Sequence, residues 1–331
     1  MQNLDFLFNL LYCINKAKVF LNFFPKNIVK NKVKEVIKEE NEEKDSLFNK
    51  IKIKSQAAME YLMTYGWAIL IIALALGVLY SLGIMNPKNF LPRAPPGSCF
   101  VFRPNGPGTT DYVSLQGTCG YLPMYVASFN GINSYLSIPN SPNLNPATQI
   151  TVSVFVKVAD VGANNIVLID KTASYGLILD GSKWWNGPYL TVNYTRVVYG
   201  IGSYSNRWNK WNQIVATFDG ISRVATLYIN GQLINRRNVT ESSANLISTT
   251  SPITIGIRAN GSIANVQIYN TALTPQEIQY LYQQGLGGAP VRLQNLVAWW
   301  PLNGDAKDYS GNNLHGTISG GVTFVQNYNP P

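Results

Sequence analysis

The chain of 331 residues carries 13% charged and 46% hydrophobic residues, with 27 glycines and 18 prolines. The charged share is about half the ~25% usual for soluble domains, while 7 Trp, 19 Tyr and 13 Phe need a core to bury them, which excludes a dominantly disordered chain. Three cysteines and one histidine exclude a disulfide-dense miniprotein and chemistry built on several histidines. The formal charge of +9 is divided along the chain: residues 1–55 hold 11 Lys against 7 acids, and the later basic residues, such as Arg196, Arg223, Arg258 and Arg292, are scattered. Nucleic-acid binding needs a clustered basic face, so no nucleic-acid partner is expected.

Residues 1–55 read as a charged leader, and residues 61–86 contain no charge at all. About 20 apolar residues suffice for a helix to span a bilayer, so a hydrophobic helix is expected over residues 56–85. Lys50, Lys52 and Lys54 precede it closely, which places the N-terminus in the cytoplasm and the rest of the chain outside. At the entrance to the helix stand Lys54-Ser55, then Gln56-Ala-Ala-Met-Glu60. These residues resemble the precursor of an archaeal type IV pilin with a class III signal peptide. The resemblance implies cleavage between Ser55 and Gln56 by a prepilin peptidase, retention of the helix in the mature chain, and packing against other pilin-like subunits. Glu60 would neutralise the new amine at Gln56 of a neighbouring subunit, since an unpaired charge in an apolar filament core is costly. The alternative is that Glu60 only favours the positive end of a helix dipole. A 55-residue leader is long for this class.

Residues 86–123 are rich in proline, including Pro87, Pro92, Pro95, Pro96, Pro104 and Pro107. Proline cannot continue the helix, so a semi-extended spacer is expected. Cys99 and Cys119 form an even pair in the mature chain, and an oxidising exterior favours a disulfide between them, two free buried thiols being the alternative.

From residue 124 the pattern turns to short alternating strands, as in residues 151–158, 213–218 and 224–229, with Asp219-Gly220 and Asn230-Gly231 as hairpin signals. One helix is expected at Thr274-Pro-Gln-Glu277, a capping box with proline at the first helical position, and Gly285 ends it. Many strands and one short helix predict a mainly β fold, an antiparallel two-sheet jelly-roll sandwich over residues 124–331. Phe129-Asn-Gly-Ile-Asn-Ser-Tyr-Leu-Ser-Ile138, Trp211-Asn-Gln-Ile-Val-Ala-Thr-Phe-Asp-Gly220 and Gly261-Ser-Ile-Ala-Asn-Val-Gln-Ile-Tyr-Asn270 resemble the laminin G-like, concanavalin A-like family. Leu296-Val-Ala-Trp-Trp-Pro-Leu-Asn-Gly304 resembles that family's opening strand, yet it comes last. Residues 296–326 are therefore expected to complete the same sandwich by circular permutation, or else to be donated to a neighbour. Of Trp299 and Trp300, one should face the core and the other stand partly exposed.

Some relatives of this fold are glycan hydrolases, but no strand here carries acids two or four residues apart, as paired catalytic carboxyls would need. No catalytic residue is assigned and no enzyme is expected. Calcium, found in relatives, would find hard oxygens at Asp308 and Asn312, although the position of the relatives' acidic pair reads Ala264-Asn265; a turn-stabilising Asp308 is the alternative, and no cofactor is required. Glycan contact falls first on Trp184, Trp185 and Tyr189, where two tryptophans precede Gly187-Pro188, ordinary core burial being the alternative. Asn193, Asn238 and Asn260 head N-x-S/T triplets and are candidate glycosylation sites. The expected function is a surface-displayed pilin-like subunit whose jelly roll mediates adhesion or carbohydrate recognition. A membrane-anchored lectin-like protein that never polymerises is the alternative.

Overall fold

The computed structural model describes residues 63, 65–79, 92–159, 164–181, 187–200, 208–240, 245–326 and 328. The chain divides into two units, Met1–Met85 and Asn86–Pro331. In the first, residues 65–79 form a helix, α1, that exposes Trp67, Ile69, Ile71 and Leu74. Among the described residues no helix is long and apolar enough to cross a membrane. Ser55, Gln56 and Glu60 lie outside the described residues, as do both ends of the expected 56–85 helix.

In the second unit, period-2 alternation produces strands that pair antiparallel into two large sheets. One contains, in spatial order, β12 (Gln232–Asn238), β11 (Val224–Ile229), β10 (Asn212–Asp219), β5 (Gln149–Val158), β14 (Asn260–Tyr269), β3 (Val126–Asn130) and β17 (Thr323–Val325), with β15 (Leu296–Trp300) also on β14. The other contains β16 (Thr317–Ser319), β4 (Tyr135–Ile138), β13 (Ile253–Ile257), β6 (Ile166–Lys171), β7 (Tyr175–Leu179), β8 (Pro188–Val192) and β9 (Thr195–Tyr199). A separate hairpin joins β1 (Cys99–Phe102) to β2 (Ser114–Gly117). The turns follow their sequences: Asn230 and Gly231 both adopt positive φ, at 52° and 74°, as a two-residue hairpin turn requires.

The two sheets face each other across one apolar core that includes Phe129, Leu136, Ile169, Leu177, Phe218 and Trp300. The C-terminal strands pair within the chain. β3 and β15 share one edge of β14, β3 along residues 260–263 and β15 along residues 266–269. β16 lies beside β4, and β17 beside β3.

The eight-stranded sheet is covered on its outer side too. The helix α2 (Pro275–Gln284), capped as expected by Thr274 and Glu277, lays Ile278 and Leu281 on Val215, Tyr228 and Tyr269. Val101 of β1 joins the same apolar layer, and Trp299 is buried beneath it. Both tryptophans of β15 are therefore buried, Trp300 between the sheets and Trp299 on the opposite face. Sequence reading expects one of them partly exposed, because the two alternate across a strand and residues 86–123 read as a spacer that would not cover the outer face. Instead, residues from Ala94 onward are held against the sandwich. Ala94 bridges Pro123, and the buried Arg103 donates to the carbonyls of Ser310, Leu296 and Leu293, at 2.8, 2.8 and 3.1 Å, and to that of Thr109. The Cys99–Cys119 disulfide closes this segment, with Cα atoms 5.0 Å apart.

Candidate functional site

With one outer face covered, the outer face of the seven-stranded sheet remains as the open broad surface among the described residues. Register aligns Thr317, Ser137, Thr254, Asp170, Gly176, Thr191 and Arg196 in one row across all seven strands. The neighbouring row, Leu136, Ile255, Ile169, Leu177, Leu190 and Val198, faces the core. The first row is polar or glycine throughout. At strand spacings of 4.7–4.9 Å it runs about 29 Å.

The row is most tightly packed at Gly176, where a Cβ would lie 2.6 Å from Asp170 Oδ1 and 2.9 Å from Thr191 Oγ1, so these two side chains close over the glycine, and a recess opens beside them. The recess has a volume of about 280 Å³, with Thr172, Ser174, Ile178 and Tyr194 among its walls. Asp170 Oδ2 accepts from Thr172 Oγ1 at 3.0 Å. Burial pushes the Asp170 carboxyl above its ordinary range, against the Thr172 hydroxyl, which lowers it. Ser174 is buried, and its hydroxyl has no partner among the described residues. A buried polar group without a partner is costly and is commonly satisfied by water or ligand.

Tyr194 stands at the lip and is 76% exposed. It and Asn193 form the β8–β9 turn with φ of 64° and 50°, a conformation few non-glycine residues adopt. Asn193 holds the turn: its Nδ2 donates to Asn245 O at 2.6 Å, and its Oδ1 accepts from Ile247 N at 3.0 Å. One of the two Nδ2 hydrogens is thus engaged in the fold. Asn238 and Asn260 are exposed.

Other sequence candidates fall as follows. Trp184 and Trp185 lie outside the described residues. Tyr189 shares the open face with Tyr199 but is 6% exposed, because the Arg196 guanidinium covers its ring at 3.8 Å. It does not present a free stacking face. Arg196 also pairs with Asp180 at 3.1 Å.

Asp308 and Asn312 are consumed by the fold. Asp308 Oδ1 accepts from Trp299 N and Ser310 N, and Oδ2 from Ser310 Oγ and Leu314 N, all within 3.0 Å. Asn312 donates to the carbonyls of Leu296 and Val297 and accepts from Gly108 N. Four donors meet the Asp308 carboxylate, so it organises its loop. Among the described residues no cluster of three or more acidic, histidine or cysteine side chains could hold a metal. Sequence reading missed Asp170, Gly176, Ser174 and Tyr194; the turn pair Asn193-Tyr194 between two alternating runs was the available signal for the last.

Residues 130–279 match the family model described as the concanavalin A-like lectin/glucanases superfamily. No curated protein matches the chain. A crystal structure of a proposed carbohydrate-binding protein from Bacteroides ovatus aligns with 66% of this chain at 16% identity and a TM-score of 0.50, and the aligned part spans 64% of that protein. A pentraxin from Limulus polyphemus aligns with 60% of this chain and 96% of its own, at 15% identity and a TM-score of 0.41. The β-sandwich is similar to concanavalin A-like domains.

Proposed function

We propose that this protein recognises carbohydrate through the open face of its seven-stranded sheet. The observation that carries the reading is the polar row and, beside it, a recess lined by a carboxylate, hydroxyls and an exposed tyrosine. Sugars are bound by such combinations of acceptors, donors and an aromatic face. The match to a lectin/glucanase family model and the Bacteroides ovatus protein, itself a proposed carbohydrate binder, support it. Binding is favoured over hydrolysis because, among the described residues, one carboxyl, Asp170, lines the recess where hydrolysis normally uses two. A purified full-length chain should bind at least one member of a broad glycan array, and should lose most of that binding when Tyr194, at the lip of the recess, is replaced by alanine. Silence across the array would remove the proposal.

The sandwich would be displayed outside the cell from a retained pilin-type helix at residues 56–85, with residues 1–55 removed by a prepilin peptidase and the helix packing among other subunits. The Lys54-Ser55-Gln56 and Glu60 pattern supports this, and so does the Cys99–Cys119 disulfide, which belongs in an oxidising exterior. Mass spectrometry of the native N-terminus decides it: a start at Gln56 is expected, whereas an intact leader would favour a simple anchored lectin-like protein.

A further inference from the structure

Lys171 follows Asp170 and also lines the recess, but it shares its row with Ile253 and Tyr175 of the core, and its ammonium is engaged elsewhere, donating to Asn140 Oδ1 at 2.7 Å and Ser251 O at 2.8 Å. The next cation along the row, Arg196, is paired with Asp180 and stacked on Tyr189. Among the described residues Asp170 therefore faces the recess with no cation paired to it, and the Thr172 hydroxyl is its one hydrogen-bond donor. Beside it, the buried Ser174 hydroxyl is without a partner among the described residues, and the exposed Tyr194 stands at the lip of the recess.

We infer that the recess selects uncharged sugars, with Asp170 accepting from sugar hydroxyls and repelling uronate or sulfate groups. This rests on the carbohydrate reading above and adds the ligand's charge class to it. Specificity of this kind comes from an unpaired like charge facing the wrong ligand. Ser174 and Thr191 complete the polar contacts, and Tyr194 supplies the apolar face.

The test is an array that pairs uncharged oligosaccharides with their uronate or sulfated counterparts, probed with the full-length chain in a detergent lacking a sugar headgroup. Wild-type protein should bind uncharged members at least about tenfold more tightly than their charged counterparts. Asp170→Asn, which keeps the shape, should narrow that gap, and Ser174→Ala and Tyr194→Ala should weaken the uncharged ligands. Raising the salt to about 1 M should narrow the wild-type gap as well, by screening, a measurement that needs no variant to fold. Charged members bound equally or more tightly, or a gap indifferent to both Asp170→Asn and salt, would overturn the inference while leaving carbohydrate recognition standing. An array silent throughout would remove both.

Discussion

Arg103, just past the end of β1, donates through Nε to the carbonyl of Ser310 at 2.8 Å, 207 positions away in the chain. With three further carbonyls on the same guanidinium, it is the polar clamp that fastens the N-terminal hairpin to the sandwich. Burial pushes its pKa down, partly offset by Asp308 nearby, so the hydrogen bonds compensate for lost hydration. Arg103→Ala should cost about 3 kcal/mol, because it leaves buried carbonyls unpaired. Arg103→Lys should recover less than half, since a point ammonium cannot span the fork. Denaturant unfolding reads both, and an unchanged midpoint would disprove the clamp.

Asp308→Ala should be as damaging, at roughly 3 kcal/mol, because it orphans the buried amides of Trp299, Ser310 and Leu314. A chelator should leave the melting temperature of the wild-type protein unmoved. A fall on chelation, restored by calcium, would return Asp308 and Asn312 to the role of ligands.

Gly176→Ala puts a carbon 2.6 Å from Asp170 Oδ1 and 2.9 Å from Thr191 Oγ1, well inside van der Waals contact, so both side chains must give way. Stability should fall by about 1–3 kcal/mol. An unmoved denaturant midpoint would show that Asp170 and Thr191 swing aside freely.

Two acids should respond to pH with opposite signs. At Glu277 burial raises the pKa, but the Arg292 guanidinium and the Thr274 amide and hydroxyl outweigh it, so the net shift is downward. Its contribution is present above the ordinary carboxylate pKa of ~4.3 and lost as pH falls through the lower folded value. Glu277→Gln should therefore destabilise at pH 7 and remove part of the acid sensitivity. Asp170 is raised by burial, so its charged form at neutral pH works against the fold and stability recovers as pH falls. Asp170→Asn should raise the melting temperature at pH 7, a trade of stability for function. Melting curves from pH 3 to pH 7 would expose a reversed sign at either position.

Much of the fold was legible because its signals are local. Alternation marked β5, β10 and β11; Asn230-Gly231 marked a turn; and Thr274 with Glu277 marked the start of α2. The disulfide and the late strand β15 were also readable, one from an even cysteine pair and the other from an out-of-order motif. The candidate site was hidden because it depends on register. Asp170, Gly176 and Thr191 come from three strands, and a one-residue slip would turn each of them to the core. The hairpin was misread for a related reason. Prolines forbid a helix locally, but whether the chain then floats or docks is decided by partners such as Ser310 and Leu296, far away in sequence.

The pairing of the final strands governs when this domain can become native. β3 and β4 are made early, yet β17 and β16 are their neighbours, and Trp300 fills the middle of the core. Until residues 296–325 have left the ribosome, both strands keep open edges and the largest piece of the interior is missing. Until then the domain stays unfinished and open to mispairing along both strands.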